Sequence, residues 1–181
     1  GKALDDFTAY VGASNGTDMG TLGNDAQSDK YSYVNSLRYY STFDGSNAEP
    51  AIIIGYPEMC FNIAEGINRG WSAGTAATWY VNGITASMNF YGITDGAKLP
   101  ISHPQLPVKV GEATADLTGY LAQTAVAYKG NNADGLTQIL QQKYIAFWQN
   151  SNWESFFNAR RTGVPAFKTG AGTGNGGKIP T

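Results

Sequence analysis

Between Pro57 and Tyr91 the apolar positions fall into two helical stripes separated by a short polar break. Met59, Ile63 and Ile67 recur at four-residue steps, Glu65 and Arg69 form an i,i+4 ion pair, and Gly70 stands where a left-handed cap would end the helix. After Trp71 to Gly74 a second stripe follows, Ala77, Val81, Ile84, Met88 and Tyr91, closed by Gly92. The pattern predicts an antiparallel helix hairpin of about the 34-residue tetratricopeptide length. Small residues at Ala64, Ala76 and Gly83 would let the two helices approach closely.

The flanking sequence is less regular. Up to Pro50, Gly, Asn, Asp, Ser and Thr clusters such as Gly12 to Gly16 and Asp44 to Asn47 alternate with Phe7, Tyr10, Tyr31, Tyr33, Tyr39, Tyr40 and Phe43, which predicts irregular backbone with at most one short strand. Ala51 to Tyr56 reads as a short β-rich run leading into Pro57, a residue suited to the first turn of a helix. Pro100, Pro104 and Pro107 break the stretch from Gly92 to Gly111, predicting an irregular surface connection. Leu117 to Tyr128 fits helix or extended chain equally. A further helix is expected to bury Leu136, Ile139, Leu140, Tyr144, Phe147 and Trp148, and Ser151 with Glu154 forms a capping box for a short helix carrying Trp153, Phe156 and Phe157. Gly170 to Gly177 reads as flexible linker.

The expected fold is therefore mainly α, with tetratricopeptide-like helix hairpins and long irregular loops. Residues 1–181 are expected as a single domain, with a loop-rich segment over 1–55, the hairpin over 56–92, further helices over 111–163 and a linker over 168–181.

Composition narrows the function classes. Apolar residues make up 42% of the chain and no run approaches the roughly 20 residues needed to cross a bilayer. The net charge is −2 and the 12 Lys and Arg are scattered, which argues against nucleic acid as a partner. One Cys (Cys60) and one His (His103) exclude a disulfide framework and a structural zinc site, and no cofactor is implied. Gly1 in place of an initiator Met, and an abrupt stop at Ile179-Pro180-Thr181, suggest part of a longer protein.

Several motifs match reactive chemistry by letter only. Gly12-Ala13-Ser14-Asn15-Gly16 fits the G-x-S-x-G nucleophile elbow, with His103 and Asp44 or Asp95 as triad partners, but no strand-to-helix context surrounds it. Gly172-x-Gly174-x-x-Gly177 fits a dinucleotide fingerprint but lacks the strand and helix that hold a pyrophosphate. Asp25, Asp29, Asp44 and Glu49 could be offered as glycosidase carboxylates or calcium ligands; none sits in an apolar setting, and the calcium-loop order is absent. Asn15-Gly16-Thr17 is a glycosylation sequon. Arg160 and Arg161 suit a helix C-terminus and could pair with Glu58 or Glu65. The aromatic-rich first segment is the best candidate for binding. Sugar rings stack on exposed Tyr or Trp flanked by hydrogen-bonding side chains, and Tyr10, Tyr31, Tyr33 and Tyr39 stand near Asn15, Asn24, Asp29, Asn35 and Arg38. The competing reading is that these rings are simply buried against the helices.

Two linked stretches resemble a known family. Tyr56-Pro57-Glu58-Met59 followed by Ala64-Glu65-Gly66-Ile67-Asn68-Arg69-Gly70 is similar to the "Y-x-E-M, then A-E-A-x-x-R-G" hairpin of SusD/RagB-like outer-membrane lipoproteins, with Gly66 where the family has alanine. Ile139-Leu140-Gln141-Gln142-Lys143-Tyr144-Ile145-Ala146 and Arg160-Arg161-Thr162-Gly163 resemble that family's "I-x-x-Q-K-(W/Y)-I-A" helix and "R-R-T-G" ending. The resemblance implies a non-enzymatic, cell-surface, glycan-binding protein of Bacteroidetes-type bacteria. It would be held at the outer membrane by a lipid anchor absent from this chain, and would deliver oligosaccharides to a SusC-like TonB-dependent transporter. The family offers no sugar-binding motif that matches here, so Tyr10, Tyr31 and Tyr33 are proposed as carbohydrate-binding residues on aromatic chemistry alone. A protein-interaction scaffold without direct sugar binding is the alternative, and a hydrolase using Ser14 and His103 a weaker one.

Overall fold

The computed structural model describes residues 2–39, 50, 52–103, 106, 108–149 and 153–178. In chain order these form α1 (Met19–Gln27), α2 (Ser36–Tyr39), α3 (Tyr56–Asn68), α4 (Ala76–Phe90), β1 (Lys98–Ser102), β2 (Lys109–Thr114), α5 (Leu117–Ala122), α6 (Ala133–Ala146) and α7 (Glu154–Thr162). The fold is mainly α-helical, as expected. The chain divides into two compact units: residues 1–49, 98–114 and 167–181 form one, and residues 50–97 and 115–166 the other. Among the described residues no helix is long and apolar enough to cross a membrane.

The second unit is built on the α3–α4 hairpin. Pro57 lies in the first turn of α3, where its missing amide costs nothing, and Glu58 places negative charge at the positive end of the helix dipole. Gly70, with φ 75°, turns the chain out of the helix, and the Trp71 N–H reaches back to the Gly66 carbonyl at 2.8 Å. The same six-to-one bond closes α4 at Gly92, from Ile93 N–H to Met88 O at 2.9 Å. Between the caps the helices approach so closely that a Cβ on Gly83 would lie 2.8 Å from the Phe61 ring. Phe61, Ala64, Tyr80, Ile84, Val126 and Ile139 form one core, flanked by Trp79, Met88, Leu117, Tyr120 and Tyr128. Each large apolar side chain withdrawn from water here contributes about 1.5–3 kcal/mol.

The buried stripes are shifted from the predicted ones. On α3 it is Cys60, Phe61, Ala64 and Ile67 that face inward while Met59 is exposed, and on α4 it is Ala76, Tyr80, Gly83 and Ile84 while Val81 is exposed. Ile139 and Leu140 on α6 and Phe147 at its C-cap are buried as expected, but Tyr144 and, beyond the cap, Trp148 are exposed, and Gln138, Gln142 and Lys143 are buried. Residues 52–55 bend rather than form a strand, so the β-rich run ends in a turn ahead of α3. The ambiguous stretch after Asp116 resolves into the short helix α5, capped by that aspartate through the Gly119 N–H. α7 starts at Glu154 with Trp153 as its N-cap; the predicted capping box turns on Ser151, which lies outside the described residues.

In the first unit two segments expected to be irregular are ordered. Asp18 caps α1 by accepting the Thr21 N–H at 2.9 Å, giving a helix where only loop was predicted. The proline-broken connection contains an antiparallel hairpin, with Lys98 opposite Thr114, Pro100 opposite Glu112 and an irregularity between Ile101 and Ser102. A two-stranded sheet has an open edge on each strand, where a residue without an amide is tolerated, and the Asn35 side chain bonds the Pro100 carbonyl at 3.2 Å. The Gly-rich stretch expected to be linker forms short 3₁₀ turns over Ala171–Thr173 and Asn175–Gly177. It lies directly on the loop before α1: a side chain on Gly172 would collide with the Thr17 carbonyl.

Candidate functional site

The three tyrosines proposed from the sequence all lie in the first unit, and one local pairing brings their segments together. The Ser32 N–H donates to the Val11 carbonyl at 2.8 Å, and the Val11 N–H donates to Ser32 Oγ at 2.9 Å. Tyr10 directly precedes one member of that pair, and Tyr31 and Tyr33 flank the other. Each phenol is anchored. Tyr10 donates to the Leu4 carbonyl at 2.7 Å, Tyr31 to Asp25 Oδ2 at 3.1 Å and Tyr33 to the Ala26 carbonyl at 2.9 Å. α1 therefore positions two of the three rings through its last turn.

The rings are not absorbed into a core. Tyr10 is 46% and Tyr33 44% exposed, and Tyr31 is partly covered. Burial and then repulsion from Asp5 push the Tyr10 hydroxyl above its ordinary pKa; burial and then the bond to Asp25 do the same for Tyr31. Asp25 is held below the ordinary carboxylate range by hydrogen bonds from Lys30, at 2.6 Å, and from Tyr31. Around neutral pH the arrangement therefore presents neutral phenols, an aspartate and a lysine beside partly exposed ring surface. Fixed rings with polar rims suit the stacking of a sugar's C–H face and hydrogen bonding to its hydroxyls. Of the flanking residues named from sequence, Asn35 is committed to Pro100, Asp29 turns the chain out of α1 with φ 54°, and Arg38 lies 6.0 Å from the Tyr39 ring centroid. Tyr40, Phe43, Asp44 and Glu49 lie outside the described residues.

Among the described residues, the motifs matched by letter do not assemble into reactive sites. Ser14 lies in a turn, where its hydroxyl accepts the Gly16 N–H at 3.4 Å, and a bend rather than a strand leads to α1. Asp95 bonds the amides of Leu117 and Thr118 and the Thr118 hydroxyl, which makes it a helix-start cap rather than an orienting carboxylate. Gly172 and Gly177 lie in the two 3₁₀ turns with Gly174 between them, and among the described residues no strand leads into this stretch as a dinucleotide turn requires. Among the described residues no cluster of three His, Cys, Asp or Glu could hold a metal ion.

The charged residues of the resemblance motifs meet in the second unit. Arg161 Nη1 donates to Glu65 Oε1 at 2.6 Å and Nη2 to Oε2 at 3.0 Å, while Arg69 Nε also donates to Oε1 at 2.8 Å. Lys143 donates to Asn62 Oδ1 at 2.7 Å. Burial alone would raise the Glu65 carboxyl, but the two arginines outweigh it and hold the pKa below the ordinary value. Burial depresses the Lys143 ammonium despite the nearby Glu58 and Glu65. These charges tie α3, α6 and α7 together.

Sequence reasoning missed two exposed aromatic features. Trp153 at the N-cap of α7, and Phe156 and Phe157 on it, are exposed, where the sequence had shown only a short helix carrying aromatics. Trp71 is exposed beyond the α3 cap, with the Arg69 guanidinium 5.3 Å from its ring. It also passed over Tyr120, whose hydroxyl bonds Gln142 at 3.0 Å across 22 residues of sequence, a pairing that no local pattern announces.

Known proteins place this architecture. A SusD-like family described as starch-binding and associating with the outer membrane matches residues 2–181. A solved structure from Bacteroides vulgatus, suggested to be an outer-membrane protein involved in nutrient binding, superposes with a TM-score of 0.72 at 27% identity, covering 94% of this chain and 35% of that one. A SusD homologue from Bacteroides fragilis gives 0.61 at 29% identity over 95% of this chain and 35% of its own. A second B. fragilis SusD homologue shares the fold, with a TM-score of 0.69 at 24% identity over 93% of this chain and 34% of its own. The chain thus spans about a third of the length of these relatives. Among curated proteins there is no significant match. With the family signature running almost from end to end and the helical frame shared with solved SusD homologues, this chain belongs to the SusD-like family of starch-binding proteins that associate with the outer membrane.

Proposed function

We propose that this chain is part of a cell-surface glycan-capture protein that holds oligosaccharides and passes them to a SusC-like TonB-dependent transporter. A lipid anchor carried elsewhere in the protein would keep it at the outer membrane. The reading is of a binding protein, not an enzyme. The observation that carries it is the match of the starch-binding, outer-membrane-associated family over residues 2–181. The nutrient-binding role suggested for the B. vulgatus relative supports it, and so do the anchored, partly exposed rings of Tyr10, Tyr31 and Tyr33. Affinity electrophoresis through gels containing starch and other plant or host polysaccharides tests it. Retardation by at least one polysaccharide, lost on Tyr31→Ala or Tyr33→Ala with the fold intact by circular dichroism, is the expected result; no retardation by any polysaccharide overturns it.

The exposed aromatic face of α7 favours a second reading, a scaffold that binds a protein partner without touching sugar. A stable complex with the co-expressed transporter and no polysaccharide retardation would select that reading.

A further inference from the structure

The second unit holds a cavity of about 350 Å³, remote in sequence from the three tyrosines. Tyr120 and Tyr144 line it together with Gln123, Gln141, Gln142 and Pro165, and the remaining lining residues are aliphatic. Its volume lies within the range of about 300–1,000 Å³ of small-molecule sites. No charged side chain lines it.

The glutamines carry the argument. Gln138, one turn before Gln142 on α6, shows how this helix treats a structural amide: it accepts from the Lys129 N–H and donates to the Ala125 and Ala127 carbonyls, leaving nothing unused. Gln142 is only 9% exposed, yet its side chain makes one bond, accepting the Tyr120 hydroxyl at 3.0 Å. Its amide nitrogen has no partner among the described residues. No buried side-chain polar atom among those residues is sealed off without a partner, so this nitrogen opens onto the cavity that Gln142 lines. The amides of Gln123 and Gln141, on the same wall, are likewise uncommitted among the described residues. The Gln142 amide, in a nearly buried side chain, is therefore left to water or to a ligand in the cavity, beside the amides of the partly exposed Gln123 and the exposed Gln141.

We infer that this cavity is a subsite for a neutral pyranose unit. Tyr120 and Tyr144 supply ring surface, and the amides of Gln123, Gln141 and Gln142 bond the hydroxyls. The inference rests on the glycan-capture reading and names a second point of contact with the same class of ligand. Neutrality is its specificity: a uronate would bring a carboxylate into a pocket with no cation to meet it, and an unpaired charge is strongly disfavoured out of water.

The side-chain amide resonances of Gln123, Gln141 and Gln142 report on it directly by ¹⁵N NMR. The probes are methyl α- and β-glucoside, methyl β-galactoside, methyl α-mannoside and methyl β-glucuronide. At least one neutral glycoside is expected to shift the Gln142 amide saturably. The Gln123→Ala/Gln141→Ala variant, which leaves the core untouched, should bind it about tenfold or more weakly, and the glucuronide should bind the parent chain at least about tenfold more weakly. The inference is overturned if no neutral glycoside moves the Gln142 amide, if the double variant binds equally well, or if the glucuronide binds as tightly. Polysaccharide retardation that depends on Tyr31, with the Gln142 amide unmoved, removes this subsite and leaves the proposed function standing. A saturable shift at Gln142 without any retardation supports the subsite and removes the tyrosine-based capture.

Discussion

Arg161 closes on Glu65 through two parallel hydrogen bonds, joining residues 96 positions apart in the chain. Glu65 is 5% exposed and receives a third bond from Arg69, so α3, itself packed against α4, is clamped to α7 by a carboxylate whose cost of burial is offset by two cations. Arg161, by contrast, has a side chain that is 46% exposed and keeps part of its hydration. Replacement of Glu65 takes all three of these bonds from the clamp, whereas removal of Arg161 takes two and leaves Arg69 to meet the carboxylate, so the larger loss is expected at Glu65. Glu65→Gln should lower unfolding stability by about 2 kcal/mol and Arg161→Ala by about 1 kcal/mol, with a coupling of about 1 kcal/mol in the double-mutant cycle measured by urea denaturation. Additive losses would mean that the fork contributes nothing to the clamp.

The same carboxylate sets an acid limit. The folded state holds Glu65 below its ordinary pKa, so the unfolded state binds its proton first as pH falls. The stabilisation is fully present above the unfolded value of about 4.3 and is lost as pH drops through the depressed folded value. Urea midpoints of the parent chain should therefore fall more steeply than those of Glu65→Gln between about pH 5 and pH 3, and the two curves should converge at the acid end. Parallel curves would show that another carboxylate governs acid unfolding.

How far the sequence spoke depends on the range of the interaction. The ends of α3 and α4 were legible because Gly70 and Gly92 act on carbonyls within one turn. The phase of the stripes was less so. Met59 and Val81 look like core residues by type, yet close helix packing is set by the small partners Ala64, Ala76 and Gly83, which rotate Phe61 and Tyr80 inward instead. The β1–β2 hairpin was hidden because Pro100 and Gly111 weaken a strand signal; Gly111 is needed where Leu4 would meet a side chain. For the candidate site the residue types were visible, but their assembly was not: the Val11–Ser32 pairing spans 21 residues, and the buried glutamines of α6 look like an ordinary solvated face.

Tyr80 offers a measure of the core's polar accounting. Its ring is 1% exposed and packs edge-on against Phe61, and its hydroxyl donates to the Val126 carbonyl at 2.7 Å. Tyr80→Phe keeps the ring and strands a buried carbonyl, for an expected loss of about 1–2 kcal/mol. A thermal or urea midpoint equal to that of the parent would mean that another donor, such as water, replaces the phenol.

Two glycines on facing helices should respond in opposite directions to the same change. Alanine is favoured over glycine within a helix by about 1 kcal/mol, so propensity alone predicts that Gly66→Ala and Gly83→Ala both stabilise. At Gly66 a Cβ would meet nothing within 4 Å, and propensity decides: about 0.5–1 kcal/mol of added stability is expected. At Gly83 the new Cβ would lie 2.8 Å from Phe61, a ring already fixed against Tyr80 with no exposed surface to retreat into. Overpacking costs about 1–3 kcal/mol, so the steric term equals or exceeds the propensity gain, and a net loss of up to about 2 kcal/mol follows. Urea denaturation of the two single variants reads the difference in sign. Two gains would show that the hairpin can open to take a methyl group, and that the closeness of α3 and α4 does not hold the core in register.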